Sequence, residues 1–275
     1  MISITILVDN SAARGLTVEH GLSLWIEAAG RRILFDTGKG DALGPNSRAL
    51  GIDPADAEFL VLSHGHYDHT GGVPEVLGSG LETSVYCHPG VMRSRYAVRE
   101  GGPKEIGIPL PSRDALEALP PSRLHPVERP VMLLQDVGLT GPIPRETDYE
   151  DPGGPFYLDP QGRQKDQIED DLALWIQTGQ GVVVCAGCSH AGIINTLYYV
   201  KRLTGGSRIR AVIGGFHLLN ADARRLKQTV KALRALNPDM VVPCHCTGEK
   251  AVRILQESLG EIVSPGVAGT SYSFE

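Results

Sequence analysis

The N-terminal third of the chain alternates short apolar runs with turn residues. Runs rich in β-branched and aromatic residues, bounded by Gly, Asn or Asp, cover 2–8, 22–28, 32–37, 59–63 and 83–87. The run at 59–63 is continuously apolar, which is typical of a strand buried on both faces. The pattern therefore predicts a sheet here, with one short helix that begins near Pro74 and ends before Gly78.

Apolar strands and amphipathic helices alternate in the C-terminal half. Strands are predicted at 171–177, 181–186, 209–215 and 240–246, and helices at 192–203, 222–236 and 249–258. In the helix at 222–236, Leu226 and Leu233 share one face, Asn220 can cap the start and Pro238 follows the end. No Ser- or Gly-rich linker divides the chain. We therefore predict a single α+β domain over 1–275, with sheet packed on sheet and helices outside.

Residues 90–165 break this alternation, because 12 of the 19 prolines lie between Pro103 and Pro160. We expect one short helix at 112–119, with Ser112 as its N-cap, and irregular structure in most of the remainder. So long a segment inside a compact domain is more often a functional lid or cap than a linker. A disordered insertion is the alternative interpretation.

Composition restricts the class of protein. The chain has 275 residues, of which 41% are hydrophobic and 21% are charged, as in ordinary globular proteins. Its net charge of −6 argues against a nucleic-acid partner, because phosphate backbones call for a basic surface. No apolar run approaches the roughly 20 residues of a membrane span, and the N-terminus lacks the basic region of a signal peptide. With 5 cysteines, an odd number, we expect reduced thiols and a cytoplasmic protein.

The segment "HGHYDH" carries the strongest chemical signal. It places His64, His66, Asp68 and His69 directly after a predicted buried strand. In an extended chain the first three of these would face the same way, and His69 would join them only if the chain turns just beyond it. Imidazole and carboxylate ligands suit Zn, Fe or Mn better than Ca or Mg. We therefore predict one or two divalent ions, with the first two histidines on one ion and Asp68 and His69 on the other.

Three further histidines follow apolar runs in the same way. His190 lies in "VVVCAGCSHAG", His217 in "AVIGGFHLL" and His245 in "MVVPCHCTG". Sheet proteins place reactive groups where strands end in glycine-rich turns. We therefore predict His190 and His245 as metal ligands, whereas His217 is open as a ligand, a substrate contact or a proton donor. Structural roles are expected for His20, His88 and His125.

The cysteines offer a rival metal site. Cys185 and Cys188, together with Cys244 and Cys246, could form the two halves of a structural zinc site. However, the first pair straddles the end of a predicted strand. The second pair flanks His245 on a predicted strand, and should face away from that histidine. We favour small buried residues as the role of these cysteines.

The segment "HGHYDH" resembles the HxHxDH motif of the metallo-β-lactamase superfamily. "LFDTG" at 34–38 resembles the early strand and turn of that family, and "VVPCHC" resembles its strand that carries the last ligand. The resemblance implies a four-layer αβ/βα sandwich with a one- or two-metal site at one edge of the sheets. It also implies that Asp36 supports the metal-binding loop and that His245 binds metal.

One departure from the family pattern concerns the bridging ligand. The superfamily site has a third histidine well before a bridging aspartate in a "GD" turn, whereas the matching turn here is "AGCSH". Cys188 therefore stands where the aspartate is expected. Either His190 supplies the missing ligand, or the centre is less symmetric and Asp166 or Asp170 substitutes.

The wider resemblance concerns function. "EHGLSLWIE", "GCSHAGIIN" and "PCHCTG" are similar to a branch that includes 7,8-dihydropterin-6-yl-methyl-4-(β-D-ribofuranosyl)aminobenzene 5′-phosphate synthase and many proteins known only as metal-dependent hydrolases. This implies an enzyme that acts on a small, phosphorylated metabolite, with Asp68 as a ligand or general base and His217 as a further catalytic candidate. The alternatives are a metallo-nuclease or phosphodiesterase of the same fold and a di-iron redox protein. We expect a small-molecule substrate and neither a nucleic-acid nor a membrane partner.

Overall fold

The computed structural model describes residues 1–78 and 82–275. The strands are β1 (Ile2–Val8), β2 (Ser23–Ala28), β3 (Arg31–Phe35), β4 (Phe59–Leu62), β5 (Ser84–Cys87), β6 (Tyr96–Arg99), β7 (Gly102–Glu105), β8 (Leu124–Pro126), β9 (Val131–Leu134), β10 (Val137–Leu139), β11 (Phe156–Tyr157), β12 (Ala173–Thr178), β13 (Gly181–Ala186), β14 (Ile209–Gly215), β15 (Met240–Cys244) and β16 (Ser271–Phe274). The helices are α1 (Leu43–Leu50), α2 (Tyr67–Thr70), α3 (Val73–Leu77), α4 (Leu110–Glu117), α5 (Ile193–Leu203), α6 (Ala223–Leu236) and α7 (Glu249–Leu259).

Two sheets enclose the central apolar core. The strand order is β16-β1-β2-β3-β4-β5-β8 in the first sheet and β15-β14-β13-β12-β10-β9 in the second. Buried side chains from both sheets, such as Ile6, Val61, Leu174 and Ile213, meet in this core. Helices α1, α3 and α4 pack on the outer face of the first sheet, and α5, α6 and α7 on that of the second. This arrangement confirms the predicted four-layer αβ/βα sandwich, and it explains why the central strands read as continuously apolar runs.

The segment 90–165 is more regular than the sequence predicted. Strand β8 extends the first sheet, β9 and β10 extend the second, and β6, β7 and β11 form a third sheet. The prolines did not prevent this, because they lie where a missing N–H does little harm. Pro103 and Pro126, for example, lie on the edge strands β7 and β8.

Two predicted helix caps are wrong. Helix α4 begins at Leu110 after Pro109, so Ser112 lies buried inside the helix. Helix α6 is capped by Asp222 and not by Asn220: the Asp222 carboxylate accepts a hydrogen bond of 2.7 Å from the N–H of Arg225. A carboxylate immediately before the first helical residue reaches this N–H, whereas a side chain two residues earlier does not.

The direction of the strands decides which loops come together. Strand β1 is antiparallel to β2, and β2 is antiparallel to β3, so β1, β3 and β4 all run the same way. In the second sheet β13, β14 and β15 are parallel. The loops that follow these six strands meet at one edge of the sandwich. No helix in the described ranges is both long and apolar enough to cross a membrane.

Candidate metal centre

Three imidazoles form a buried cluster at this edge. The ligand atoms of His64, His66 and His190 lie within 4.8 Å of one another, and Nε2 of His64 is 3.0 Å from Nδ1 of His66. Nε2 of His66 and Nε2 of His190 have no hydrogen-bond partner in the described part of the chain. Burial, with the neighbouring cations and imidazoles, lowers the pKa of all three rings well below the ordinary value. The rings are therefore neutral at pH 7 and offer lone pairs to a cation.

Hydrogen bonds around the cluster determine which nitrogen carries the lone pair. The Ser63 hydroxyl donates to Oδ2 of Asp36 at 2.6 Å, so its oxygen accepts from Nδ1–H of His64 at 2.9 Å. Nδ1–H of His190 donates to the carbonyl of Pro152 at 2.8 Å. Both rings therefore present an Nε2 lone pair to the centre, as metal-binding histidines do.

Gly65 and the buried Arg95 fix the backbone between the first two histidines. The N–H of Gly65 donates to Oδ2 of Asp170 at 2.8 Å, and that oxygen also accepts from the Arg95 guanidinium at 2.9 Å. A Cβ at position 65 would overlap Arg95 and the carbonyl of Val91, so only glycine fits there. Asp166 also binds Arg95, at 2.7 Å. Asp166 and Asp170 are thus held outside the centre, and neither substitutes for the absent bridging aspartate.

Asp68 and His69 lie on the short helix α2, so the chain turns before Asp68 and not after His69 as the sequence suggested. Oδ2 of Asp68 is 3.1 Å from Nε2 of His20 and 3.4 Å from Nε2 of His245. Burial alone would raise the pKa of Asp68, but these two imidazoles hold it well below its ordinary value. Asp68 is therefore a carboxylate at neutral pH.

His69 links the centre to Asp36. Its Nδ1 is 2.7 Å from Oδ2 of Asp36, and its Nε2 is 3.1 Å from Sγ of Cys188. Burial alone would lower the pKa of this ring, but the adjacent Asp36 carboxylate raises it to about 9. In the metal-free protein His69 is therefore an imidazolium, and Asp36 supports the loop as the resemblance implied.

Two cysteines also reach the centre. The sulfurs of Cys188 and Cys246 and a ring nitrogen of His245 lie within 4.8 Å of one another. The expectation that Cys246 faces away from His245 is wrong, because β15 ends at Cys244 and the next residues form a tight turn. Cys185 and Cys244 pack in the core between the sheets, so the four cysteines do not form a common zinc site. Burial raises the pKa of the Cys188 thiol, and a bound cation would oppose this effect.

Non-glycine residues with left-handed backbone concentrate at this edge. The φ angles of Asp36, Ser189, His217 and His245 are 61°, 56°, 46° and 48°. Such conformations are costly and persist where the surrounding structure enforces them, most often at functional sites. At His245 the conformation turns the chain so that both this residue and the following cysteine point inward.

His217 lies at the border between the cluster and the solvent. Its ring centroid is 4.3 Å from that of His190, and its Nδ1 has no hydrogen-bond partner among the described residues. Phe156, from the third sheet, packs 5.3 Å from the ring of His66 and 6.0 Å from that of His217. The aromatic ring thus covers the cluster, while His217 lines the adjacent cavity.

Sequence reasoning missed His20, whose ring is 4.8 Å from that of His245. The direction of β1 was the available signal, because the loop after β1 lies at the same edge as the loop that contains His64. The other two histidines assigned structural roles are outside the centre. Nδ1 of His88 accepts from the N–H of Gly90 at 3.0 Å, and His125 stacks on Tyr86 at 4.5 Å.

A cavity of about 1270 Å³ opens from the centre. Its floor includes His66, Asp68 and His217, and the Phe156 ring forms part of its wall. Four cationic side chains also line it: Arg99, Lys104, Lys250 and Arg253. None of the four forms an ion pair with a described residue. The cavity therefore joins a cluster of groups that could hold a metal ion to a wall that carries four cationic side chains.

Known proteins resemble this chain over nearly its full length. A family profile described as the metallo-beta-lactamase superfamily matches residues 16–245. A solved structure described as a metal-dependent hydrolase of the beta-lactamase superfamily is 33% identical, with a TM-score of 0.84, over 100% of this chain and 99% of that one.

Two proteins of Methanocaldococcus jannaschii are also similar. One is uncharacterized and is 34% identical over 92% of this chain and 94% of its own length. The other is 7,8-dihydropterin-6-methyl-4-(β-D-ribofuranosyl)-aminobenzene-5′-phosphate synthase, which is 31% identical over 88% of this chain and 86% of its own length.

Proposed function

We infer a function from the fact that this chain belongs to the metallo-beta-lactamase superfamily, as its "HGHYDH" segment predicted. We propose a metal-dependent enzyme that acts on a small phosphorylated metabolite, either by hydrolysis or by a synthase reaction. The observation that carries this proposal is the cluster of His64, His66 and His190 in a chain of this superfamily. Two Nε2 atoms of the cluster have no hydrogen-bond partner among the described residues. Buried polar atoms without partners are costly, and a divalent cation would satisfy them.

The donor atoms suggest which residues would hold each ion. His64, His66 and His190 would bind the first ion. Asp68, His69 and His245 would bind the second, and Cys188 lies within reach of His69 in the position of the bridging aspartate. Imidazole, carboxylate and thiolate together favour zinc, with iron and manganese as the alternatives.

A bound divalent ion would supply a water with a pKa of about 7 and would polarise a phosphoryl or carbonyl oxygen. The chain itself supplies orientation and proton transfer. Asp68 is ionised and can hold the second ion, or act as the general base if one ion is present. His217 lines the cavity and its Nδ1 has no hydrogen-bond partner among the described residues, which makes this ring the candidate for proton transfer to a leaving group. Phe156 excludes water from the histidines beneath it.

The positive wall supports an anionic substrate. Lys250 and Arg253 lie on α7, whereas Arg99 and Lys104 lie on strands β6 and β7 of the third sheet, so three elements contribute charge. Unpaired cations in a chain of net charge −6 favour a ligand that carries a phosphate. The similar synthase of Methanocaldococcus jannaschii is named for a product with a 5′-phosphate, which supports the same class of substrate.

Elemental analysis tests the metal directly. We expect one or two ions per chain in the purified protein, a loss of at least one ion in His66→Ala, and no loss in His125→Ala, which removes a histidine outside the centre. Equal metal in all three proteins, or none in any, would refute the proposal. Turnover is then assayed with phosphodiesters, lactones and dihydropterin pyrophosphate plus an aminobenzene phosphate. We expect Arg253→Gln to raise KM for phosphorylated substrates while metal content stays unchanged.

A further inference from the structure

One amide side chain contacts two histidines of the centre. Oδ1 of Asn10 is 2.8 Å from Nδ1 of His245, and Nδ2 of Asn10 is 3.3 Å from Nδ1 of His20. Two backbone groups determine which end of the Asn10 amide is the oxygen and which is the nitrogen. The N–H of Gly21 donates to Oδ1 at 3.3 Å, and Nδ2 donates to the carbonyl of His245 at 3.4 Å. Because a backbone N–H only donates and a carbonyl only accepts, the amide has a single orientation.

This orientation gives the two histidines opposite tautomers when both rings are neutral. Oδ1 of Asn10 can only accept, so Nδ1 of His245 carries a proton, and Nε2 is the nitrogen that can bind a metal ion or a second proton. Nδ2 of Asn10 can only donate, so Nδ1 of His20 accepts and Nε2 carries the proton. Both Nε2 atoms face Oδ2 of Asp68, at 3.4 Å from His245 and 3.1 Å from His20. The carboxylate oxygen therefore meets a fixed donor at His20 and, at His245, a nitrogen that can bind a metal ion.

We propose that His20 supports Asp68 as a hydrogen-bond donor and does not bind metal, and that Asn10 is the positioning residue that assigns these roles. The inference rests on the proposed metal centre and distinguishes between its candidate ligands. Nε2 of His245 and Oδ2 of Asp68 face each other at 3.4 Å, and a metal ion bound to both would take the place of a proton between them. The contact between His20 and Asp68 is already satisfied without one.

Exposure agrees with this division of roles. The His245 side chain is 1% exposed, so an unused lone pair there has no access to water. The His20 side chain is 55% exposed and lies at the cavity wall. A donor bonded to a metal-binding carboxylate orients that carboxylate and tunes its affinity for the ion, which is the role we assign to His20.

The tautomers can be measured directly. Long-range ¹H–¹⁵N spectra of the zinc-loaded protein, labelled at histidine, report which ring nitrogen carries a proton. We expect an Nε2–H tautomer at His20, and an Nδ1–H tautomer at His245 with a metal-shifted Nε2. A metal-shifted nitrogen at His20 would overturn the proposal. His20 should show the same tautomer in the metal-free protein, so this result is independent of whether the proposed enzyme activity is found.

Substitutions at position 20 distinguish between two roles of His20: a hydrogen-bond donor to Asp68 and a metal ligand. The amide nitrogen of Gln occupies nearly the place of Nε2, whereas that of Asn occupies the place of Nδ1. We therefore expect His20→Gln to retain the affinity for the second ion within about threefold, and His20→Asn and His20→Ala to lose about tenfold. Equal losses in all three variants would indicate a ligand, and no loss in any would indicate no role; either result refutes the proposal.

Asn10→Asp tests the positioning residue. The substitution replaces the donor that faces His20 with a second acceptor, so the ring should acquire a proton on Nδ1. We expect a change in the His20 signal of the same spectra and little change at Nδ1 of His245. An unchanged His20 tautomer would show that Asn10 does not set it.

Discussion

Two buried polar clusters lie on opposite sides of Gly65 and differ in how completely their polar atoms are hydrogen-bonded. On one side the Arg95 guanidinium binds the carboxylates of Asp166 and Asp170 and the carbonyl of Gly90, and every partner has an opposite charge or dipole. On the other side the imidazoles of His64, His66 and His190 leave two nitrogens without a partner in the described residues. The first cluster is complete as folded, whereas the second leaves ring nitrogens that could bind a ligand.

The contrast separates structural from functional polar groups. Native proteins satisfy nearly all buried donors and acceptors, so an exception calls for an explanation. Asp166 and Asp170 are acidic, buried and close to the centre, but this proximity does not make them available to a metal ion, because their oxygens bind Arg95. In the histidine cluster, by contrast, Nε2 of His66 and Nε2 of His190 have no hydrogen-bond partner among the described residues.

Removal of Arg95 should have the largest effect on stability. Arg95→Ala leaves two carboxylates buried without a counter-charge, and breaking a buried ion pair in this way typically costs about 3–5 kcal/mol. We expect a loss of that size in the free energy of unfolding of the metal-free protein, measured in urea. Arg95→Lys keeps the charge but not the forked geometry, so an intermediate loss is expected. A loss below about 1 kcal/mol in Arg95→Ala would contradict the view of this cluster as structural.

Asp36→Asn should remove a pH dependence that arises next to the second cluster, in the ion pair between Asp36 and His69. The pKa of His69 is about 9 in the folded protein, above its ordinary value of 6.5. The ion pair with Asp36 therefore stabilises the metal-free protein fully below about pH 6.5, and this stabilisation, about 3 kcal/mol, is lost as the pH rises through about 9. Unfolding of the wild type in urea should become easier between about pH 6 and pH 10. The slope should be shallower in Asp36→Asn, and identical slopes would rule out the ion pair.

The sequence predicted the parts of the centre that depend on local pattern. His64, His190 and His245 each follow an apolar run, and a strand that ends in a glycine-rich turn is recognisable without tertiary structure. The same reasoning failed for Cys246, because a left-handed residue at His245 ends the alternation of faces along the strand.

Contacts distant in sequence could not be predicted in this way. The two carboxylates that bind Arg95, Asp166 and Asp170, lie 71 and 75 positions further along the chain, and no local signal marks either partner. His20 reaches Asp68 only because β1 and β4 run in the same direction, which follows from three successive pairings among the four strands β1 to β4. The Pro-rich segment was underestimated because the sequence shows its prolines but not whether they lie on edge strands.

His190→Asn tests the proposed ligand atom of His190, Nε2, separately from the hydrogen bond that Nδ1 forms with the carbonyl of Pro152. The Asn amide can still donate to the carbonyl of Pro152, but the atom that corresponds to Nε2 is gone. We expect the metal-free protein to change by less than about 1 kcal/mol, because no satisfied hydrogen bond is lost. The stabilisation by added zinc, about 2.7 kcal/mol at a hundredfold excess over Kd, should largely disappear. Thermal unfolding with and without zinc measures both quantities, and a variant still stabilised like the wild type would exclude His190 as a ligand.

The smallest effect is expected at an exposed ion pair whose geometry matches that of Arg95. Arg202 binds Glu146 through two hydrogen bonds of 2.7 and 2.9 Å, and the two side chains are 48% and 55% exposed. Water and salt screen such a pair, so Arg202→Ala should cost no more than about 0.5 kcal/mol in urea unfolding, and less at high salt. Both arginines form forked contacts with carboxylates, so burial is the main difference between them. If the loss in Arg202→Ala approached that in Arg95→Ala, the geometry of the fork and not its isolation from water would explain the stability of the buried cluster.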